Sequence, residues 1–236
     1  MKLGPHLHRI GNDIVAAYLV DTEEGVTVID AGLAGHWSDL LAELSAMGRS
    51  VADVRGVVLT HGDSDHVGFA ERLRAQQGVP VFVHAADAER AKGGPKPKAS
   101  AGRMRLRAVL GFAGYSVRKG GLRTTWLTEV QEVVDGDVLP LPGAPVIIGL
   151  PGHSPGSVAV HVPIADAVFV GDAFTTRDVL TGATGPRPAP FTDDPELALD
   201  SLTRLAGLRA TWVLPGHGAP WRADPAEVVA AVRAAG

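Results

Sequence analysis

Cysteine is absent from all 236 residues. That absence excludes disulfides, thiolate metal ligands and a cysteine nucleophile together, so any metal must rest on imidazole and carboxylate. It suits a reducing compartment. Excess positive charge is missing too: the net charge is −4 and the sequence pI about 6.1. Neither nucleic acid nor an anionic membrane is therefore expected as a partner. The one modest basic cluster, Lys92 to Arg107, reads as a solvated loop. No apolar run approaches the roughly 18 residues of a membrane span, and the opening MKLGPHLHRIGND carries no basic-then-apolar leader. A soluble, cytoplasmic protein is the expectation.

Apolar residues make up 45% of the chain, enough for the core of a single domain over 1–236. Asp13–Val20, Gly25–Asp30, Val54–Thr60 and Val79–His84 are short apolar runs that read as strands. His36–Met47 and 67–77 have helical spacing, and Ala85–Ala91 reads as a short helix. An irregular insert over about 92–125 follows. Glu129–Val134, Val146–Leu150, Ser157–Val162 and Ala167–Gly171 then read as strands of a second sheet. Pro195–Ala206 and Asp224–Ala235 read as helices around a last strand, Thr211–Leu214. That order suits two packed sheets with helices outside. A doubly wound parallel sheet suits it less, because no glycine-rich turn follows the first strand.

Metal-competent side chains fall where predicted strands end, each beside glycine or another turn former. The densest group is His61-Gly62-Asp63-Ser64-Asp65-His66, directly after a buried strand. Then come Pro151-Gly152-His153-Ser154-Pro155-Gly156, Gly171-Asp172 and Pro215-Gly216-His217-Gly218. Loops at strand ends can aim several side chains into one cleft, which a straight helix cannot. Any one of these residues alone would be a polar residue satisfied in a turn; their joint arrangement points to a metal site.

In order and spacing, along nearly the whole chain, these motifs resemble those of the metallo-β-lactamase superfamily and its glyoxalase II-like branch. That pattern is HxHxDH, a PGHTPG-like loop, a GD and a late GH. The resemblance implies an α+β fold, an αβ/βα sandwich of two mixed sheets with the metals at one edge. It implies a first metal on His61, Asp63 and His153, a second on Asp65, His66 and His217, and Asp172 bridging the two. Two divalent ions are expected, zinc first, with manganese or iron as alternatives. The implied activity is hydrolysis of a small molecule at an ester, thioester, lactone or amide bond. A hydroxide held between the metals would attack, with Asp65 as the catalytic carboxylate that orients it or accepts its proton.

Asp63 departs from the pattern, which usually has histidine there. A third carboxylate among the ligands would leave a two-metal centre at net +1 instead of +2. Bound water would ionise less readily, and preference would tilt towards manganese or iron. A carboxylate standing behind the ligands is the alternative reading of Asp63. Phe112, Tyr115 and Phe174 are candidate substrate contacts, whereas Trp126 reads as core. His6, His8 and His36 read as surface or capping residues, and His84 and His161 as hydrogen-bonded structural ones. Rival functions are a diiron oxidoreductase, which would need an electron-donor domain, a nuclease, which would need a basic clamp, and a non-catalytic metal-binding module. The oligomeric state is open.

Overall fold

The structure is a computed structural model and describes residues 1–97 and 102–235. Its first sheet holds seven strands in chain order. β1 (Lys2–Gly4), β2 (Leu7–Gly11), β3 (Ala16–Thr22) and β4 (Gly25–Ile29) form an antiparallel meander. β5 (Val54–Val58), β6 (Val81–His84) and β7 (Gln131–Val133) then add in parallel. Parallel neighbours need crossovers. α1 (Trp37–Ala46) lies between β4 and β5, and α2 (Ala70–Gln77) between β5 and β6. α3 (Ala88–Ala91) and α4 (Leu106–Arg118) precede β7.

The second sheet contains β8 (Val146–Gly149), β9 (Val158–Val162), β10 (Ala167–Gly171), β13 (Trp212–Pro215) and β14 (Trp221–Arg222), in the order β14-β13-β10-β9-β8. Only β10 and β13 pair in parallel. Between them the chain forms a ribbon of β11 (Thr175–Arg177) and β12 (Thr184–Arg187), then α5 (Pro195–Ser201). α6 (Pro225–Ala235) ends the described chain.

The layers follow from period-two alternation along the strands. On β3, Tyr18 and Val20 face inward, packing with Ile29, Val58, Ile147, Val160, Phe169 and Leu214 between the sheets. Their neighbours Ala17 and Leu19 face the opposite way, onto Leu40 and Leu44 of α1 and Leu73 of α2. On the far side Val168, Val170 and Val213 meet Val228 and Val232 of α6. Three apolar layers therefore separate helix, sheet, sheet and helix: the αβ/βα sandwich. Among the described residues no helix is long and apolar enough to cross a membrane.

Two expectations need correction. Gln131–Val133 pairs with β6 and so extends the first sheet, not the second. The insert over 92–125 is not irregular throughout, because α4 runs through it for 13 residues. Gly111 and Gly114 weaken its helical signal. Its apolar Leu106, Leu110 and Val117 are exposed, so their spacing marks no core-facing stripe.

Candidate metal centre

Every candidate ligand lies just past the C-terminal end of a strand. β5 leads to His61, Asp63, Asp65 and His66, β8 to His153, β10 to Asp172 and β13 to His217. The two sheets bring these loops to one rim. Three sets of ligand-type atoms each fall within 4.8 Å of one another: His61, Asp63 and His153; Asp65, His66 and His217; and His61, His66 and Asp172. Asp172 reaches both of the first two sets. Its Oδ1 lies 3.5 Å from His66 Nε2, and its Oδ2 lies 3.1 Å from His217 Nε2 and 3.8 Å from His153 Nε2.

The four imidazoles are held from behind, and in the same sense. His66 Nδ1 donates to Asp30 at 2.9 Å, and His217 Nδ1 donates to the Ile14 carbonyl. Thr60 Oγ1 gives its proton to Asp30, so it accepts from His61 Nδ1 at 3.2 Å. Thr192 Oγ1 gives its proton to the Ala189 carbonyl, so it accepts from His153 Nδ1 at 3.3 Å. With each Nδ1 engaged from behind, all four Nε2 atoms face inward. His61, His66 and His153 Nε2, together with Asp172 Oδ1, are buried with no hydrogen-bond partner. Buried polar atoms left unpaired are costly. Several aimed at one point are the donor set of a cation, and backing groups of this kind orient metal-binding histidines.

Electrostatics agree. Burial works against charge on His217, but Asp172 and Asp65 raise it to about 9. Burial likewise opposes charge on His66, and Asp30 and Asp172 overcome it, raising that imidazole well above the usual range. Asp172 is held well below the usual carboxylate range: desolvation resists ionisation, and the facing His217 and His66 prevail. His61 is lowered by burial and by His66 and His153, which outweigh Asp172 and Asp63. The cluster favours positive charge at its centre.

Close approach sets two glycines. A Cβ on Gly216 would sit 2.5 Å from His66 Cε1 and 2.7 Å from Asp172 Oδ1. Gly171, at φ +51°, turns the chain so that Asp172 enters the centre, and a Cβ there would lie 2.2 Å from Thr60 Oγ1.

Asp63 has an unexpected partner. Arg90 Nε donates to Asp63 Oδ1 at 2.7 Å and its Nη2 donates to Oδ2 at 2.9 Å, while Lys96 Nζ reaches Oδ1 at 3.1 Å. Desolvation opposes ionisation of Asp63, but His153 and Arg90 hold its carboxyl far below the usual range. Oδ2 still stands 3.7 Å from His153 Nε2 and 3.9 Å from His61 Nε2, within the first set. Arg90, only 7% exposed, bonds Asp193 as well, at 2.7 Å. The net +1 counted from the ligands alone therefore omits a buried cation that offsets Asp63. Lys96 also shows that the Lys92–Arg107 cluster is more than a solvated loop.

A cleft of about 400 Å³ opens over the centre, lined among others by Leu33, Asp65, Lys96, Phe112, Val179 and Phe191. Phe112, one of the candidate substrate contacts, thus lines the cleft over the centre. Phe174 does not: it is fully buried in the outer core of the second sheet. Tyr115 does not either, since its hydroxyl lies 2.7 Å from His36 Nε2 beneath α4. His36 is buried, not at the surface, and its Nδ1 accepts the Leu33 N–H. Trp126 is 37% exposed and shields Gly93 instead of joining the core.

Three supporting residues escape a reading of motifs. Asp30, at the end of β4 with φ +59°, accepts from Thr60 and His66 together. Fully buried Asp87 accepts from Gly62 N, Gly156 N and Ser154 Oγ at 2.7–2.8 Å, stitching two ligand loops together. Arg90 is the third. An aspartate followed by Ala-Gly at a strand end was the one available signal for Asp30. Asp87 and Arg90 sit in an ordinary short helix and carry none.

Comparison with known proteins agrees with this geometry. Residues 10–217 match the family model described as the metallo-beta-lactamase superfamily. The chain is 28% identical over 207 residues to the probable metallo-hydrolase YflN of Bacillus subtilis (strain 168), covering 82% of this chain and 75% of that one. It is 27% identical over 221 residues to metallo-beta-lactamase domain-containing protein 1 of Xenopus laevis, covering 88% and 76%. Among solved structures, TTHA1623 in a di-iron-bound form is 30% identical with a TM-score of 0.59, covering 94% of this chain and 93% of that one. A metallo-beta-lactamase from Cronobacter sakazakii reaches a TM-score of 0.70 at 22% identity, covering 100% and 94%, a likeness of fold alone.

Proposed function

The chain belongs to the metallo-β-lactamase superfamily, and from that membership we propose a metal-dependent hydrolase that opens ester, thioester, lactone or amide bonds of small molecules. One observation carries the reading: His61, His66 and His153 turn Nε2 atoms with no hydrogen-bond partner into one cluster, where Asp172 and His217 join them. His61, Asp63 and His153 would hold one divalent ion, and Asp65, His66 and His217 a second, with Asp172 shared. When bound, the pair would supply Lewis acidity and a water ionised near neutral pH.

The chain's own residues would do the rest. Asp65 is less buried than the histidines, with its Oδ2 3.4 Å from His217 Nε2. From there it would orient the attacking water and accept its proton. Leu33, Phe112, Val179 and Phe191 would receive the apolar part of the substrate and exclude bulk water. Ser64 and Ser116 line the same cleft, but no imidazole is hydrogen-bonded to either hydroxyl. A serine–histidine couple of the kind that activates a nucleophile is thus not assembled.

Zinc is proposed first. The oxygen of Asp63 supports manganese or iron as alternatives, and iron gains further support from the di-iron form of TTHA1623. The test is a panel of aryl esters, thioesters and lactones, assayed as purified, after chelation, and after zinc, manganese or iron is restored. Turnover lost on chelation and regained with metal is expected. No turnover on any substrate with any of the three metals would overturn the proposal.

A further inference from the structure

A second cleft of about 400 Å³ adjoins the metal cleft and shares Phe112 and Val179 with it. Arg105, Arg107 and Arg177 line it. They come from separate elements, the start of α4 and the end of β11. The Arg105 N–H donates to the Leu180 carbonyl at 2.9 Å, which docks α4 onto the ribbon turn and fixes the two elements relative to each other.

None of these three guanidinium groups has a carboxylate partner among the described residues. Some other arginines do, such as Arg49 with Asp21, Arg74 with Glu71, Arg90 with Asp63 and Arg204 with Asp135, and others, such as Arg55 and Arg118, do not; what sets these three apart is that they line one cleft. Asp178, next to Arg177, turns its Oδ1 to the amides of Leu180 and Thr181. General basicity does not account for the concentration either, because the chain carries a net charge of −4. Three unpaired cations beside a reaction centre form a receptor for negative charge. Guanidinium forks match the oxygens of phosphate in pairs, and a cleft of about 400 Å³ is large enough for such a group.

We propose that this cleft seats a phosphate-type group at one end of the substrate while the scissile bond lies over the metal centre. The proposal rests on the hydrolase reading and narrows it to esters or thioesters whose acyl or leaving portion carries a phosphate.

Two measurements test it separately. Pyrophosphate is titrated calorimetrically into the protein as purified and again after chelation, where no metal can hold the anion. One-to-one binding to the chelated protein is expected. It should weaken roughly tenfold or more in Arg177→Gln and in the double variant Arg105→Gln/Arg107→Gln, as the loss of charge-assisted hydrogen bonds requires. Binding seen only with metal present, or unmoved by these substitutions, would overturn the proposal. The second measurement compares two matched aryl esters, one neutral and one with a distal phosphomonoester. The ratio of kcat/KM, charged over neutral, should fall roughly tenfold or more in the same variants; an unchanged ratio would also overturn it. If neither ester turns over, the substrate panel decides the hydrolase reading on its own, and the pyrophosphate titration still decides the cleft.

Discussion

Asp63 occupies a position where the family pattern has histidine, and Arg90 explains how the fold accommodates an acid there. The buried pair presents Oδ2 to the first ligand set while offsetting its charge. Asp63→His alone would leave Arg90 buried with only Asp193, and removing one partner of a buried pair costs about 3 kcal/mol. The double variant Asp63→His/Arg90→Leu should recover most of that loss in urea unfolding. A single variant as stable as the parent would show that Asp193 satisfies Arg90 by itself. His36 makes a second prediction. Burial lowers its imidazole to about 4, from the 6.5 of a free histidine. The unfolded chain therefore binds a proton that the fold refuses between those values. Stability is full above pH 6.5 and falls as pH drops towards 4, by about 3 kcal/mol from this residue. His36→Gln should lose correspondingly less over that window. Parallel stability curves would contradict the assignment.

At the scale of elements, the site is a set of loops tied to one another. Asp87 binds the loop after β5 to the loop after β8 through three buried donors. Asp87→Ala leaves them unsatisfied, so the melting temperature should fall by about 10 °C. Both metals should be retained less well, although Asp87 touches neither ligand set. A variant that melts early but keeps full metal content would show the loops to be independent. This division also marks what the sequence made legible. The ligands stood out because strand ends followed by Gly-Asp or Gly-His are sharp local signals, and glycines such as Gly171 and Gly216 are forced by close approach. Asp87, Arg90 and Asp193 gave no such signal, since they acquire meaning only when segments distant in the chain meet. Phe174 carries no local signal of its burial, because two residues past Asp172 the chain has already turned into the core. Tyr115 lies on the inward face of α4, whose glycines blur its helical spacing, and His36 takes its hydroxyl there.

For the whole molecule, two sheets meet face to face over a continuous apolar layer, and their strand ends supply both ligand sets. Metals bound there would join the two halves, so chelation should lower the melting temperature and restored metal should raise it in proportion to occupancy. Asp172 is the residue both sets share. Asp172→Ala should therefore weaken both sites, whereas His217→Ala should weaken mainly one. The central claim is that these seven side chains form one two-metal centre, and it is tested most directly by counting ions. Equilibrium dialysis of the chelated protein against zinc near neutral pH, followed by emission spectrometry, should find two ions per chain in the parent. It should find about one in His217→Ala and fewer still in Asp172→Ala. A parent chain that retains one zinc ion or none, or variants that all retain the parent count, would contradict the account.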